Sequence, residues 1–193
     1  MKTFLFLFVF LFSVTNSFSA VRTWDGGGTD ANWSTAANWV GDVAPVAGDS
    51  LVFPATAAQF STTNNISSFT FSALTIEGGN YTIGGSALRI TGGLTVNGGN
   101  QAFNTFVELT SSQTFNAAQD STVTIGLLFI ASGFSNPFVL TLDGAGSFFI
   151  GVITGTGSLT KIGSGASLIA AAGSYNGAVT LNEGVLVVDA NNS

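Results

Sequence analysis

Leu74-Thr75-Ile76-Glu77-Gly78-Gly79-Asn80 returns twenty positions later as Leu94-Thr95-Val96-Asn97-Gly98-Gly99-Asn100. Five of the seven residues are identical, and Ile76 and Val96 are both β-branched. Between the two copies stand Tyr81-Thr82-Ile83 and Leu88-Arg89-Ile90. Like the copies themselves, these are triplets with apolar ends and a polar middle. In a strand, side chains alternate between two faces, so each triplet reads in-out-in. Gly pairs at 78–79, 84–85 and 92–93 supply the backbone freedom that sharp corners need. Three short strands and three corners in twenty residues describe one turn of a single-stranded parallel β-helix.

The pattern extends less regularly through Val107-Glu108-Leu109, Val123-Thr124-Ile125, Leu140-Thr141-Leu142, Leu159-Thr160-Lys161 and Val179-Thr180-Leu181, with spacings drifting between 16 and 20. Residues 69–190 then hold roughly six turns, a column about 30 Å long at the usual strand spacing. The rival is an antiparallel β-sandwich, which also carries short strands between turn signals. Triplets this close leave too little chain for most sandwich hairpins. A twenty-residue echo also has no reason to exist in a sandwich. Arg89 and Glu108 lie 19 positions apart, each in the middle of its triplet, and are expected to pair across adjacent strands on the outer surface.

Composition narrows the function. Of 193 residues, 46% are hydrophobic and 7% charged, with 25 Gly and neither Cys nor His. Metal sites of imidazole or thiolate, Ser–His and Cys nucleophile systems, and disulfides are thereby excluded. A net charge of -6 gives no electrostatic footprint for nucleic acid. Lys2 followed by the apolar run Phe4 to Phe12 and small residues at Ser17 and Ser19 reads as a signal peptide over 1–19. The run is too short for the roughly 20 apolar residues of a spanning helix. The expected protein is secreted or displayed at the cell surface, with no transmembrane segment once the signal is removed. An exported domain without disulfides must find its stability in continuous packing, which a stacked column provides.

Residues 20–60 differ in composition from residues 61–193. All three tryptophans, Trp24, Trp33 and Trp39, fall here, with Asp25, Asp30, Asp42 and Asp49. A solenoid exposes an apolar cross-section and unpaired strand edges at its end, and a Trp-rich segment before the first turn is a natural lid. The domain division is therefore signal peptide 1–19, capping segment 20–60 and β-helix 61–193. Exposed, the same Trp24, Trp33 and Trp39 would form a platform for stacking on sugar rings. Asp25-Gly26-Gly27-Gly28-Thr29-Asp30 invites a calcium reading, but calcium-loaded β-rolls need that unit in tandem, and it occurs once. Turn formation by Gly and Asp accounts for it. No cofactor or metal is expected.

Glycoside hydrolysis requires two carboxyls flanking one bond. The acids on predicted strands or their ends, Glu77, Glu108, Asp120, Asp143 and Glu183, mostly stand singly beside Gly or Ser. They read as turn acids, so no catalytic residue is assigned and the chain is expected not to be an enzyme.

Residues 155–188 contain Gly155-Thr156-Gly157-Ser158-Leu159-Thr160-Lys161-Ile162-Gly163-Ser164-Gly165, then Leu168, Tyr175-Asn176-Gly177 and Gly184-Val185-Leu186-Val187-Val188. This stretch resembles the autotransporter-associated β-strand repeat, with Gly155, Gly157, Leu159, Lys161, Gly163, Gly165, Tyr175, Gly177, Gly184 and Leu186 on its signature positions. The opening Trp24-Asp25-Gly26, Asn32-Trp33, Asn38-Trp39, Pro45 and Asp49 to Phe53 resembles the start of secreted proteins that carry such repeats. The resemblance implies a right-handed β-helix in a secreted or surface-displayed bacterial protein, where the repeat is a stalk or assists a passenger across the outer membrane. No catalytic residues belong to that repeat. The expected partners are a surface glycan or a host or neighbouring cell surface. A region beyond Ser193 is expected to tether the protein to the outer membrane. The alternative is an extracellular glycan-binding or glycan-degrading β-helix.

Overall fold

The computed structural model describes residues 19–131 and 137–189. In chain order the strands are β1 (Val21–Thr23), β2 (Ser50–Phe53), β3 (Ser61–Asn64), β4 (Thr70–Phe71), β5 (Leu74–Ile76), β6 (Thr82–Gly85), β7 (Leu88–Ile90), β8 (Leu94–Val96) and β9 (Asn100–Leu109). Then come β10 (Gln113–Ala117), β11 (Thr122–Ile130), β12 (Val139–Asp143), β13 (Ser147–Gly155), β14 (Ser158–Lys161), β15 (Ala166–Ala171), β16 (Val179–Leu181) and β17 (Val185–Val188). Every pairing between these strands is parallel. The chain is a β-solenoid, and the antiparallel sandwich is excluded.

The first face stacks β1, β2, β5, β8, β10, β12, β14 and β16 in that order. Leu51, Leu74, Leu94 and Phe115 are successive register partners on it, separated by 23, 20 and 21 residues. The twenty-residue echo is thus one turn. A second face runs from β3 through β6 into β9, β11, β13, β15 and β17. The third face begins with β4 and β7 and joins the second half of β9, where Leu88, Arg89 and Ile90 meet Val107, Glu108 and Leu109.

The first two turns break the chain between the second and third faces, after Asn64 and after Gly85, whereas β9, β11 and β13 run around that corner as single long strands. The bend shows as a register shift between Ile125 and Leu127. Gly151 sits on the carbonyl of Gly126 there, and a Cβ on Gly151 would come within 2.6 Å of that oxygen. Gly151 is therefore required by close backbone approach.

The echoed Gly-Gly-Asn has a specific use. The Asn80 side-chain oxygen accepts the Asn100 backbone N–H one turn up, at 2.8 Å. Beside it, buried Gln101 donates to the carbonyls of Gly79 and Gly98 and accepts the Tyr81 N–H. Corner backbone groups that no strand can satisfy find partners this way.

The predicted triplets are all strands, but not of one face. Val107 belongs to the third face, Val123 to the second, and Leu140, Leu159 and Val179 to the first. The first-face strand between them is β10, whose sequence Gln-Thr-Phe-Asn-Ala hides its inward positions. Gln113 faces inward and donates to the Ile90 carbonyl, so a polar side chain occupies a core position. Turn lengths accordingly leave the expected 16–20 at one turn and keep to it at the next two. Phe115 to Leu142 is 27 residues, Leu140 to Leu159 is 19 and Leu159 to Val179 is 20.

The capping segment contributes β1 and β2 to the first face and spends residues 24–49 closing the end of the column. The signal peptide assigned to 1–19 lies, as far as residue 18, outside the described residues.

Candidate functional site

Trp24, Trp33 and Trp39 have 0% exposure and pack edge-on to one another, with centroids 5.3 Å apart for Trp24–Trp39 and 6.2 Å for Trp33–Trp39. Phe53 of the first turn lies beneath all three. Each indole N–H is satisfied: Trp24 donates to the Gln59 carbonyl, Trp33 to the Thr62 hydroxyl and Trp39 to the Trp33 carbonyl. Rings without exposed area offer a sugar no surface to stack on, so the three indoles stand here as lid core.

Around the lid, Asp30 uses both carboxylate oxygens inside its own loop. It accepts from the Asn32 backbone and amide, the Thr35 hydroxyl and the Asn38 amide. The Asn32 N–H and the Thr35 hydroxyl hold this carboxyl below its ordinary pKa. Asp25 accepts the Gly27 N–H in the same way. Both aspartates of the calcium reading thus serve as turn acids.

In the sequence Asp49 is one acid of the capping segment and part of the resemblance of residues 49–53, neither of which gives it a role. Its carboxylate, 1% exposed, accepts the Ala20 and Val46 N–H groups and pairs with Arg22 at 2.9 Å. Burial pushes its pKa up. The Val46 N–H, the Arg22 guanidinium and the Ala20 N–H outweigh that and leave it lowered. The three donors come from both ends of a 29-residue excursion, so this clamp ties the lid to the first strand.

The remaining acids stay apart in role. Glu108 meets Arg89 as a register partner, Nε to Oε2 2.7 Å, as the sequence spacing predicts. Asp143 caps the Gly144 N–H and lies level with Asn116, while Asp120 sits four residues past Asn116 in a turn at φ 62°.

The residues of the repeat signature are structural in this column. Gly163 packs on Gly144, Gly165 on Gly146 and Gly177 on Gly157, each too close to a backbone oxygen for a Cβ. Leu159 and Lys161 point inward and are buried. The Lys161 ammonium donates to the Gly163 carbonyl across its own turn. Burial lowers its pKa, against smaller upward pulls from Asp143 and Glu183. Tyr175 packs against the core, its hydroxyl donating to the Ala178 carbonyl, and burial pushes its pKa up to about 12.

Two outer surfaces carry more than turn chemistry. On the first face Thr114, Thr141, Thr160 and Thr180 are lateral neighbours on four successive strands, and Thr75 and Thr95 form a second short row. Among the described residues none of these six hydroxyls has a hydrogen-bond partner in the protein. On the second face Phe149, Leu168 and Val187 form an outward apolar ladder. With Val185 and Ala166 they line a groove of about 420 Å³ at the C-terminal end.

By fold the chain belongs to the parallel β-solenoids. Compared with protein-family models, curated proteins and solved structures, it matches none of them.

Proposed function

We propose that this protein is a non-catalytic structural or adhesive module of a secreted or surface-displayed bacterial protein, serving as a β-helical stalk or passenger segment that assists outer-membrane passage. The observation that carries this reading is the inward ladder. From Leu51 to Leu181, first-face register partners succeed one another through seven strands, each turn resting on the last. Such stacking gives a stiff column from short, weakly charged strands, which is the physical task of a stalk. The resemblance of residues 155–188 to the autotransporter-associated repeat supports the same reading. The Thr rows are its adhesive surface: uncharged hydroxyls and methyls at strand spacing, free to meet the hydroxyls of a surface glycan. No helix among the described residues is long and apolar enough to cross a membrane, and the proposed tether is a region beyond Ser193.

The test displays the full chain on bacteria and measures adhesion to glycan-coated surfaces and neighbouring cells. Adhesion should fall when Thr141 and Thr160 are both replaced by Lys, with the fold intact by circular dichroism. Cleavage of a polysaccharide panel by the purified chain would instead favour the glycan-degrading alternative.

A further inference from the structure

The outer wall of the first face is a straight array. Its pairings from β2 to β16 carry no register shift, even across the long connection before β12, whereas the second face bends between Ile125 and Leu127. Outward side chains therefore line up in rows that run along the column, across the strands. One row is Thr75, Thr95, Asn116 and Asp143. The other, two residues earlier on its strands, is Thr114, Thr141, Thr160 and Thr180. The rows run side by side on β10 and β12. Within a row the groups repeat at one strand spacing, about 4.8 Å, and the rows stand two residues, about 6.6 Å, apart.

Each Thr in the rows offers a hydroxyl that both donates and accepts, beside a methyl group. β-branching limits their rotamers, so little side-chain entropy is lost when a ligand is met. Charge then decides which ligand fits. Among the described residues the cations are Arg22, Arg89 and Lys161. Arg22 is held by Asp49, Arg89 by Glu108 on the third face, and Lys161 points into the core. The one charge in the rows is the Asp143 carboxylate, on a chain of net charge -6. A uronic, sialic or sulfated glycan would meet repulsion here with no cation to offset it. An uncharged glycan meets none.

We propose that the ligand of this wall is an uncharged, unbranched chain of equatorially linked pyranoses, of the β-1,4-glucan type, lying along the column; this rests on the adhesive reading above. Such a chain is an extended ribbon that advances by close to one strand spacing per ring, so successive rings meet successive turns. Its edge hydroxyls exchange hydrogen bonds with the Thr hydroxyls, and its C–H groups rest on the methyls. Each contact is weak, and affinity comes from the number of turns engaged in step. A branch or an axial link breaks that step.

Isothermal titration of the full chain tests it with cello-oligosaccharides of two to six units. Comparison probes are the same hexamer oxidised to a carboxylate at every C6, and dextran, whose links are axial. Affinity should climb with each added unit and change little with salt, since no ion pair forms. The oxidised hexamer and dextran should bind at least about tenfold more weakly than cellohexaose. Thr141→Val together with Thr160→Val removes two hydroxyls while keeping their shape, and should weaken cellohexaose at least about tenfold. Thr124→Val, on the second face, should leave it unchanged. The near-ultraviolet signal of the Trp lid reports whether each variant folds. Equal binding of the oxidised chain or of dextran, no dependence on length, or unchanged affinity in the double variant would overturn the inference and leave the adhesive reading standing. If no probe binds, the inference falls alone where cells displaying the chain still adhere, and both fall where they do not.

Discussion

Deleting residues 74–93 removes one turn and joins Ala73 to Leu94. The register shows what then meets what. Leu94 takes the place of Leu74 beside Leu51, Ala102 that of Thr82 beside Ser61, and Leu109 that of Ile90 beside Phe71. All later strands keep their inward and outward faces and move one strand spacing along the axis. At roughly 0.05–0.15 kcal/mol per residue, the lost turn accounts for about 1–3 kcal/mol. A specific loss adds to this. Tyr81 disappears from between Phe53 and Phe60, whose centroids lie 5.2 and 4.9 Å from its ring, and Gln101 falls into its place. Loss of a buried aromatic costs about 3–5 kcal/mol.

The shortened chain should therefore lie about 4–8 kcal/mol below the parent and melt about 10–30 °C lower. It should remain β-rich and cooperative by circular dichroism and calorimetry. Gln101→Tyr in the deleted chain should recover much of the aromatic part. Deleting only 84–93 joins Ile83 to Leu94, removes β7 and leaves one turn a face short, so apolar residues turn outward and the product should aggregate. Equal damage from both deletions, or no gain from Gln101→Tyr, would refute the register argument.

Trp33→Ala should cost about 3–5 kcal/mol and orphan the Thr62 hydroxyl, with iodide reaching the remaining indoles only after unfolding. Melting in millimolar calcium and in excess chelator should coincide, because the Asp30 oxygens are occupied by their own loop; a rise of many degrees with calcium would reinstate Asp25 and Asp30 as ligands. Lys161 releases its proton more readily folded than unfolded, so stability should rise with pH up to about pH 10, by at most about 1.4 kcal/mol per unit for one group. Tyr175 and Tyr81 hold theirs more tightly when folded, so stability should then fall from pH 10 through the Tyr175 value of about 12. Lys161→Met should abolish the rise and keep the fall. Arg89→Ala should cost only about 0.2–1 kcal/mol, since the Glu108 pair is partly solvated.

What could be read from the residues alone was whatever is periodic. Apolar ends around a polar middle set each strand's inward face, the Gly pairs marked the corners, and the echo at 74 and 94 stated the length of a turn. Stacking at that period also placed Arg89 beside Glu108. All of these are repeated local choices, and repetition makes a long-range contact predictable from spacing. Where repetition failed, so did legibility. β10 escaped because Gln113 fills an inward position through a hydrogen bond rather than through hydrophobicity.

Tertiary structure alone decided the rest. Whether a Trp is a lid or a platform depends on what covers it, and the cover over Trp33 includes Phe53 and Phe71 from two different faces of the first turn. Asp49 gathers Ala20, Arg22 and Val46 around one carboxylate, a meeting that no spacing announces. The closing of the N-terminal end was hidden as well, because a strand edge is satisfied only in relation to a neighbour, as where the Val40 N–H meets the Thr23 carbonyl. Side-chain pattern fixes which way a residue faces along its own strand; burial and backbone satisfaction belong to the assembled column, where each turn is the solvent of the next.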